Sequence, residues 1–407
     1  MKYKKILLII VFLIIVATIA FLLWNLFFKP TLPTTPEGEE EISTTTGKLP
    51  EAEEGEVEII EEKKEGLIPT KEEAGEKVDE KALGGITQTT LLGDATSLAS
   101  TLAGNGSDVQ YYNQDDGKFY RIDEDGNITL LSDKVFYDVE NVTWSPKKEK
   151  AIIEYPDGAN IVYNFATHKQ VTLPKHWEDF DFSNDGDEIV MKSIGLDPAN
   201  RWLAISNDDG SRSRTIEHIG ENDDTVYPSW SPNNQSIAMY TEGVDFDRQK
   251  VYFVGLNNEN FKSATIEGRG FEHKWSQEGD RLAYSVYSTT DDLKPKLWVV
   301  NAEGDTIGSG RKSLDLETWA SKCVFANNEE MYCGVPESLE RGAGMFPEMA
   351  KNTKDNLYHV NIATGQKRLI AIPDGYYNMT NLVVTENEDN LFFTDAASGL
   401  IHKIELK

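Results

Sequence analysis

VTWSPKKEKAIIEY (142–155), PSWSPNNQSIAMYT (228–241) and HKWSQEGDRLAYSVY (273–287) are three copies of one phrase. Each has an aromatic residue, a short polar turn and then an apolar run rich in strand-forming residues. Weaker copies read DFDFSNDGDEIVMKS (179–193), KCVFANNEEMYCGV (322–335) and NLVVTENEDNLFFTD (381–395). The anchors Trp144, Phe182, Trp230, Trp275, Phe325 and Val384 recur every 38 to 59 residues. A repeat of about 40–50 residues built from short strands is the signature of a β-propeller, because one blade cannot bury its faces alone.

Each repeat divides into four strands, a to d. In the copy at Trp230 these read PSW, SIAMYT, KVYFVGL and KSATIEG, with Asn- and Pro-containing turns suited to hairpins. The same division works upstream of Trp144: SLASTL, VQYYN, KFYRID and NITLLS form a further blade without an aromatic anchor. The fold expected is therefore all-β, a seven-bladed propeller over residues 86–407, with six blades as the alternative. The last blade ends at GLIHKIELK, its third strand, and lacks a fourth. ITQTTLL (86–92) is a strand without a blade, and it is expected to pair beside the C-terminal strand and close the ring. Closure removes sheet edges that would otherwise invite aggregation.

The phrase W-S-P-x-x-x-x-I-A resembles the repeat of TolB-like propellers. It is similar also to the WD40-like propellers attached to prolyl oligopeptidase-type peptidases. Trp144-Ser145-Pro146, Trp230-Ser231-Pro232 and Trp275-Ser276-Gln277 carry the likeness. The resemblance implies propeller architecture and, from the TolB side, an envelope-located scaffold for other proteins. The additional N-terminal α/β domain of TolB has no counterpart in the acidic stretch 29–85.

Ahead of the repeats, residues 6–28 are 23 residues without a charge, preceded by Lys2, Lys4 and Lys5. That length suits a helix crossing a hydrocarbon core of about 30 Å, with the basic side cytoplasmic. Residues 1–5 are then a cytoplasmic stub, and the propeller lies outside the cytoplasm on a single-pass anchor. Residues 29–85 hold 17 Asp or Glu against seven Lys and no aromatic residue, the composition of a disordered acidic linker.

The chain carries a formal charge of −29, which opposes binding to nucleic acid and permits a basic partner. Cys323 and Cys333 flank one hairpin, either as a cross-strand disulfide or as two buried thiols. No G-x-S-x-G elbow, H-E-x-x-H pair or phosphate-binding glycine loop occurs. The acidic runs DEDGN (123–127), SNDGDE (183–188) and NDDGS (207–211) read as turn formers, and no metal or cofactor is expected.

The segments joining strand d of one blade to strand a of the next each carry an aromatic residue: Tyr137, Trp177, Tyr227, Phe271, Trp319 and Tyr377. These segments emerge on one face, as does the long b–c insertion from Pro336. The reading is a non-enzymatic scaffold or receptor whose d–a face binds an envelope protein or peptide. The alternative is a glycan lyase or hydrolase working through carboxylates at the channel.

Overall fold

The computed structural model describes Thr18, residues 77–257 and residues 259–407. The anchor expected at 6–28 and most of the linker lie outside the described residues. Seven sheets, each built on consecutive antiparallel strands, follow one another along the chain. Blade 1 has strands Ser97–Leu102, Val109–Asn113, Lys118–Ile122 and Ile128–Ser132. Blades 2 to 6 begin with inner strands Asn141–Trp144, Trp177–Phe182, Val226–Pro228, Arg269–Trp275 and Cys323–Phe325. Blade 7 begins at Met379–Val384. The fold is thus the seven-bladed propeller, and the weak first blade belongs to the ring.

Ring closure is more elaborate than the expected single strand. Thr90–Leu91 pairs antiparallel with Ile401–Glu405 and supplies the fourth strand of blade 7. Ile86–Thr87 instead pairs parallel with Lys367–Pro373, adding a fifth strand to blade 6. One N-terminal segment therefore covers the outer edges of two adjacent blades. Order also begins before residue 86: Lys81 bridges Glu405, and Ala82 packs with Leu357, Ile370 and Ile404. Residues 77–85, placed by composition in the linker, are part of the folded unit.

The repeated phrase builds turns and core. Phe182, Trp230, Phe325 and Val384 are buried in apolar clusters, and Trp144 and Trp275 pack against others. The residue at the Ser position closes the a–b turn. The hydroxyls of Ser145, Ser183, Ser231, Ser276 and Thr385 each accept the backbone N–H five residues on. A buried hydroxyl needs such a partner, which is why a polar residue recurs there beside an aromatic one. At Trp230 the inner strand lies at 226–228, two residues earlier than PSW, leaving the indole to hydrogen-bond Asn234 across the turn.

Cys323 and Cys333 sit directly opposite each other on strands a and b of blade 6 and are joined, with S–S 2.14 Å. Both are buried in the cluster with Met331, Val335 and Val360.

Candidate functional site at the channel

Blades are radial, so side chains of an inner strand point alternately at the two neighbouring blades, close to the axis. Polar residues there are enclosed by the seam yet open to the channel. Four of the inner strands are bulged, with register shifts at Leu98/Thr101, Glu178/Asp181, Arg269/Glu272 and Thr380/Val383. Ala99, Asp179, Gly270 and Asn381 stand in the left-handed region at these bulges. A bulge re-aims the residues that follow it. In blade 5 the position requires glycine, since a Cβ on Gly270 would lie 2.6 Å from the Tyr287 ring.

After that bulge, Glu272 and Lys274 face blade 6, whereas Phe271 and His273 face blade 4. Glu272 accepts a hydrogen bond of 2.9 Å from Ser321 Oγ. Lys274 Nζ donates to the Cys323 carbonyl at 2.7 Å. The two residues are i and i+2 on one strand, hence about 7 Å apart along it. Burial pushes the Glu272 carboxyl up, an effect opposed by the Ser321 hydroxyl. Burial pushes the Lys274 ammonium down to about 8. His273 Nε2 lies 2.9 Å from Ser229 Oγ, its ring stacked on Phe271, and burial pushes it down to about 4. It is therefore a neutral structural group at ordinary pH.

Two cavities meet along this wall. One of about 330 Å³ is lined by Glu272, Trp319, Ser321, Lys322, Ala350 and Asn381, among others. A larger one of about 670 Å³ is lined by Lys274, Ser100, Thr101, Gln277, Asn381 and Glu386, among others. Asn381 belongs to both walls; Glu272 lines the smaller cavity and Lys274 the larger. A third cavity of about 500 Å³ lies against blades 2 to 5, with Asn141, Asp179, Lys192, Asp224 and His273 in its wall. Across the channel, burial pushes Asp181 up to about 6, offset by the N–H groups of Trp230 and Phe182.

The floor of the 330 Å³ cavity is a buried ion pair. Lys322 is paired with Asp355 and donates to Asn378 Oδ1 at 2.7 Å. Asp355 also accepts Met379 N–H at 2.6 Å, and Asn378 donates to the carbonyls of Ala350 and Lys351. This network ties the insertion, which includes the short helical turn Pro347–Ala350, to blades 6 and 7.

The aromatic residues expected to form a recognition face are mostly elsewhere. Trp177 (5% exposed), Phe271 (5%) and Trp319 (6%) are buried. Trp177 packs with Leu173 and Phe180, and Phe271 with Tyr284 and Leu282. Trp319 packs under the insertion with Leu339, Ala343 and Ala350. Tyr227 and Tyr377 are half-buried, the latter against Phe393 and His402. Tyr137 alone is widely exposed, at 73%. An aromatic residue beginning an inner strand gains more by filling the seam than by facing water. The exposed apolar residues on this side are instead at loop tips: Leu196, Phe246, Phe346, Met349 and Tyr376.

No described protein family matches the chain, and no curated protein is similar in sequence. Solved structures are similar in fold. An oligogalacturonate lyase in complex with manganese matches at TM-score 0.52 and 14% identity, covering 81% of this chain and 96% of that one. The oligogalacturonate lyase of Vibrio parahaemolyticus matches at TM-score 0.51 and 11% identity, covering 78% and 93%. The β-propeller domain of Myceliophteria thermophila Cps50 (Swd1) matches at TM-score 0.50 and 8% identity, covering 78% and 100%. At these identities the likeness establishes the seven-bladed propeller class. It also corrects the expectation that the chain is not an enzyme, since lyases stand among its fold neighbours and the architecture no longer argues against catalysis. Manganese does not fit here: among the described residues no three His, Cys, Asp or Glu side chains converge. The acidic runs satisfy their own turns, as where Asp123 Oδ1 accepts N–H groups of Asp125 and Asn127.

Proposed function

We propose that the channel cleaves glycosidic bonds, with Glu272 as general base and Lys274 as general acid. The observation that carries this reading is the pair itself. A carboxyl pushed up and an ammonium pushed down to about 8 stand two residues apart on one strand, each lining one of two cavities that share Asn381. A raised carboxyl is a stronger base and a lowered ammonium a stronger acid, and the ammonium keeps its proton below about 8. Glu272 takes a proton from water as the water oxygen bonds to the anomeric carbon. The anomeric carbon–oxygen bond breaks, its electron pair stays on the leaving oxygen, and Lys274 donates the proton. The fold likeness to lyases adds support for a glycan as the substrate class. The full-length protein is expected to release reducing ends from oligosaccharides with a bell-shaped pH profile whose upper limb falls near pH 8. An unsaturated product without new reducing water-derived ends would replace hydrolysis by elimination, and absence of any product would refute the reading.

A second reading is favoured by the loop tips. Tyr137, Phe246, Phe346 and Tyr376 stand exposed on the same side as the d–a segments, among acidic residues. This is the surface on which a basic envelope protein or peptide would dock, as the resemblance to TolB-like scaffolds implies. We place the domain outside the cytoplasm on an uncleaved anchor at 6–28, a placement supported by the buried disulfide. Mass spectrometry of the membrane-bound protein is expected to give the full-length chain; a mature N-terminus near residue 30 would refute the anchor.

A further inference from the structure

We infer that an aromatic groove at the outer seam of blades 3 and 4 seats an arginine side chain of a basic peptide. The inference goes beyond the catalytic reading and does not rest on it. The groove is a cavity of about 270 Å³ lined by Glu217, Tyr240, Tyr252, Gly255, Glu259 and Phe261, among others. Glu217 belongs to the outer strand of blade 3, Arg214–His218. Tyr240 and Tyr252 belong to the second and third strands of blade 4, Ala238–Asp245 and Arg248–Val254. Glu259 and Phe261 follow in the c–d turn, and such turns emerge on the face opposite the d–a segments.

Tyr240 and Tyr252 are directly opposite in the register, and their rings stack 4.6 Å apart at 9°. Tyr252 donates its hydroxyl to Glu242 at 2.8 Å, which polarises the phenol toward a more negative ring. A ring face attracts cations, and a planar guanidinium stacks on it better than an ammonium does. The c–d turn closes over bare backbone: a Cβ on Gly255 would lie 2.8 Å from the Glu259 carboxyl carbon and 2.9 Å from the Phe261 ring.

Charge complementarity selects the occupant. Glu217, Glu242 and Glu259 have no ion-pair partner among the described residues. Glu259 accepts hydrogen bonds from Asn257, at 2.7 and 3.0 Å, and keeps its charge. Burial pushes the Tyr240 hydroxyl up, and the charges of Glu217 and Glu242 add to the effect, so both carboxylates stand near it. Arg214 donates to the Leu256 carbonyl at 3.3 Å, and Lys250, opposite Glu242 in the register, forms no ion pair with it. Neither lines the cavity. Its volume lies below the roughly 300–1,000 Å³ of small-molecule pockets and suits one long side chain rather than an oligosaccharide. The formal charge of −29 draws basic chains toward the whole surface.

Calorimetry on the full-length protein tests this with a capped pentapeptide, Gly-Ser-Arg-Ser-Gly, and its citrulline counterpart, which keeps the shape and loses the charge. The arginine peptide is expected to bind at least about tenfold more tightly, with a gap that shrinks at high salt. Tyr252→Leu, which removes the ring, should weaken the arginine peptide by about threefold or more. Glu217→Lys, at an exposed position, should do the same with the thermal midpoint unchanged. Equal binding of the two peptides, or an arginine preference that both variants keep, overturns the inference. Absence of binding at millimolar arginine peptide overturns it as well.

Discussion

Glu272→Gln is expected to reduce glycan turnover by about 10²–10⁴-fold while leaving the thermal midpoint of the protein close to its original value. Gln keeps the shape of Glu, and Ser321 Oγ, 2.9 Å away, can donate to its amide oxygen as it does to the carboxylate. What disappears is the base. Lys274→Met removes the acid from the same strand, and its loss should depend on the leaving group. An aryl glycoside, whose phenolate departs without a proton, should recover most of the rate in K274M and none in E272Q. The pH profile provides a second readout. Wild-type activity rises as Glu272 ionises and falls as Lys274, pushed down to about 8, loses its proton. K274M should lose the upper limb and keep the lower one. Equal damage to both substrates in both variants, with a lowered midpoint, would reduce this pair to a structural element of the seam.

Lys322→Met is expected to destabilise the propeller by roughly 3–5 kcal/mol, read as a lower denaturant midpoint. The methionine fits the stem of the lysine, but Asp355 is fully buried and would be left with the N–H of Met379 as its remaining hydrogen bond. Its other oxygen, Oδ1, has no hydrogen-bond partner even now. Burial pushes Asp355 up and Lys322 down, each opposed by the charge of the other. Removing one member therefore costs more than the pair contributes. Lys322→Met combined with Asp355→Leu should recover much of the loss, because two apolar residues replace two desolvated charges. The insertion reports separately: Asn378 ties it through Ala350 and Lys351, so protease cleavage between residues 337 and 354 should accelerate in K322M. If K322M matches wild type in midpoint and cleavage, the pair does not hold this corner of the ring.

The stretches that wrote the fold plainly are those in which one residue has one structural duty. Ser145, Ser231 and Ser276 follow a tryptophan because a buried turn needs a hydroxyl to accept its N–H, so the phrase repeats wherever the turn does. Blade 1 was legible through its strand alternation even without an aromatic anchor. The exposure of the d–a aromatic residues is not legible in the sequence, for a matching reason. The sequence places Trp177, Phe271 and Trp319 next to loops, but the direction of a side chain at a strand start depends on the neighbouring blade, some 40 or more residues away. Tyr376 and Tyr377 make the point within one dipeptide: the first is 69% exposed and the second packs on His402.

Lys274 lies inside the repeat phrase and Glu272 just ahead of it, two polar residues in a strand that periodicity assigns to the core. Their spacing of two puts them on one side of the strand, and that much is local. Their altered acidities are not local. They arise because packing against blade 6 buries both groups, Ser321 partly offsetting the shift of Glu272. By itself the sequence determined the four-stranded repeat, the turns between its strands and the overall negative charge, since each follows from short-range pattern or composition. The tertiary structure alone decided which edges the N-terminal segment covers, which aromatic residues face solvent and which charges are desolvated at the channel. Those depend on contacts between blades, and no one repeat encodes them.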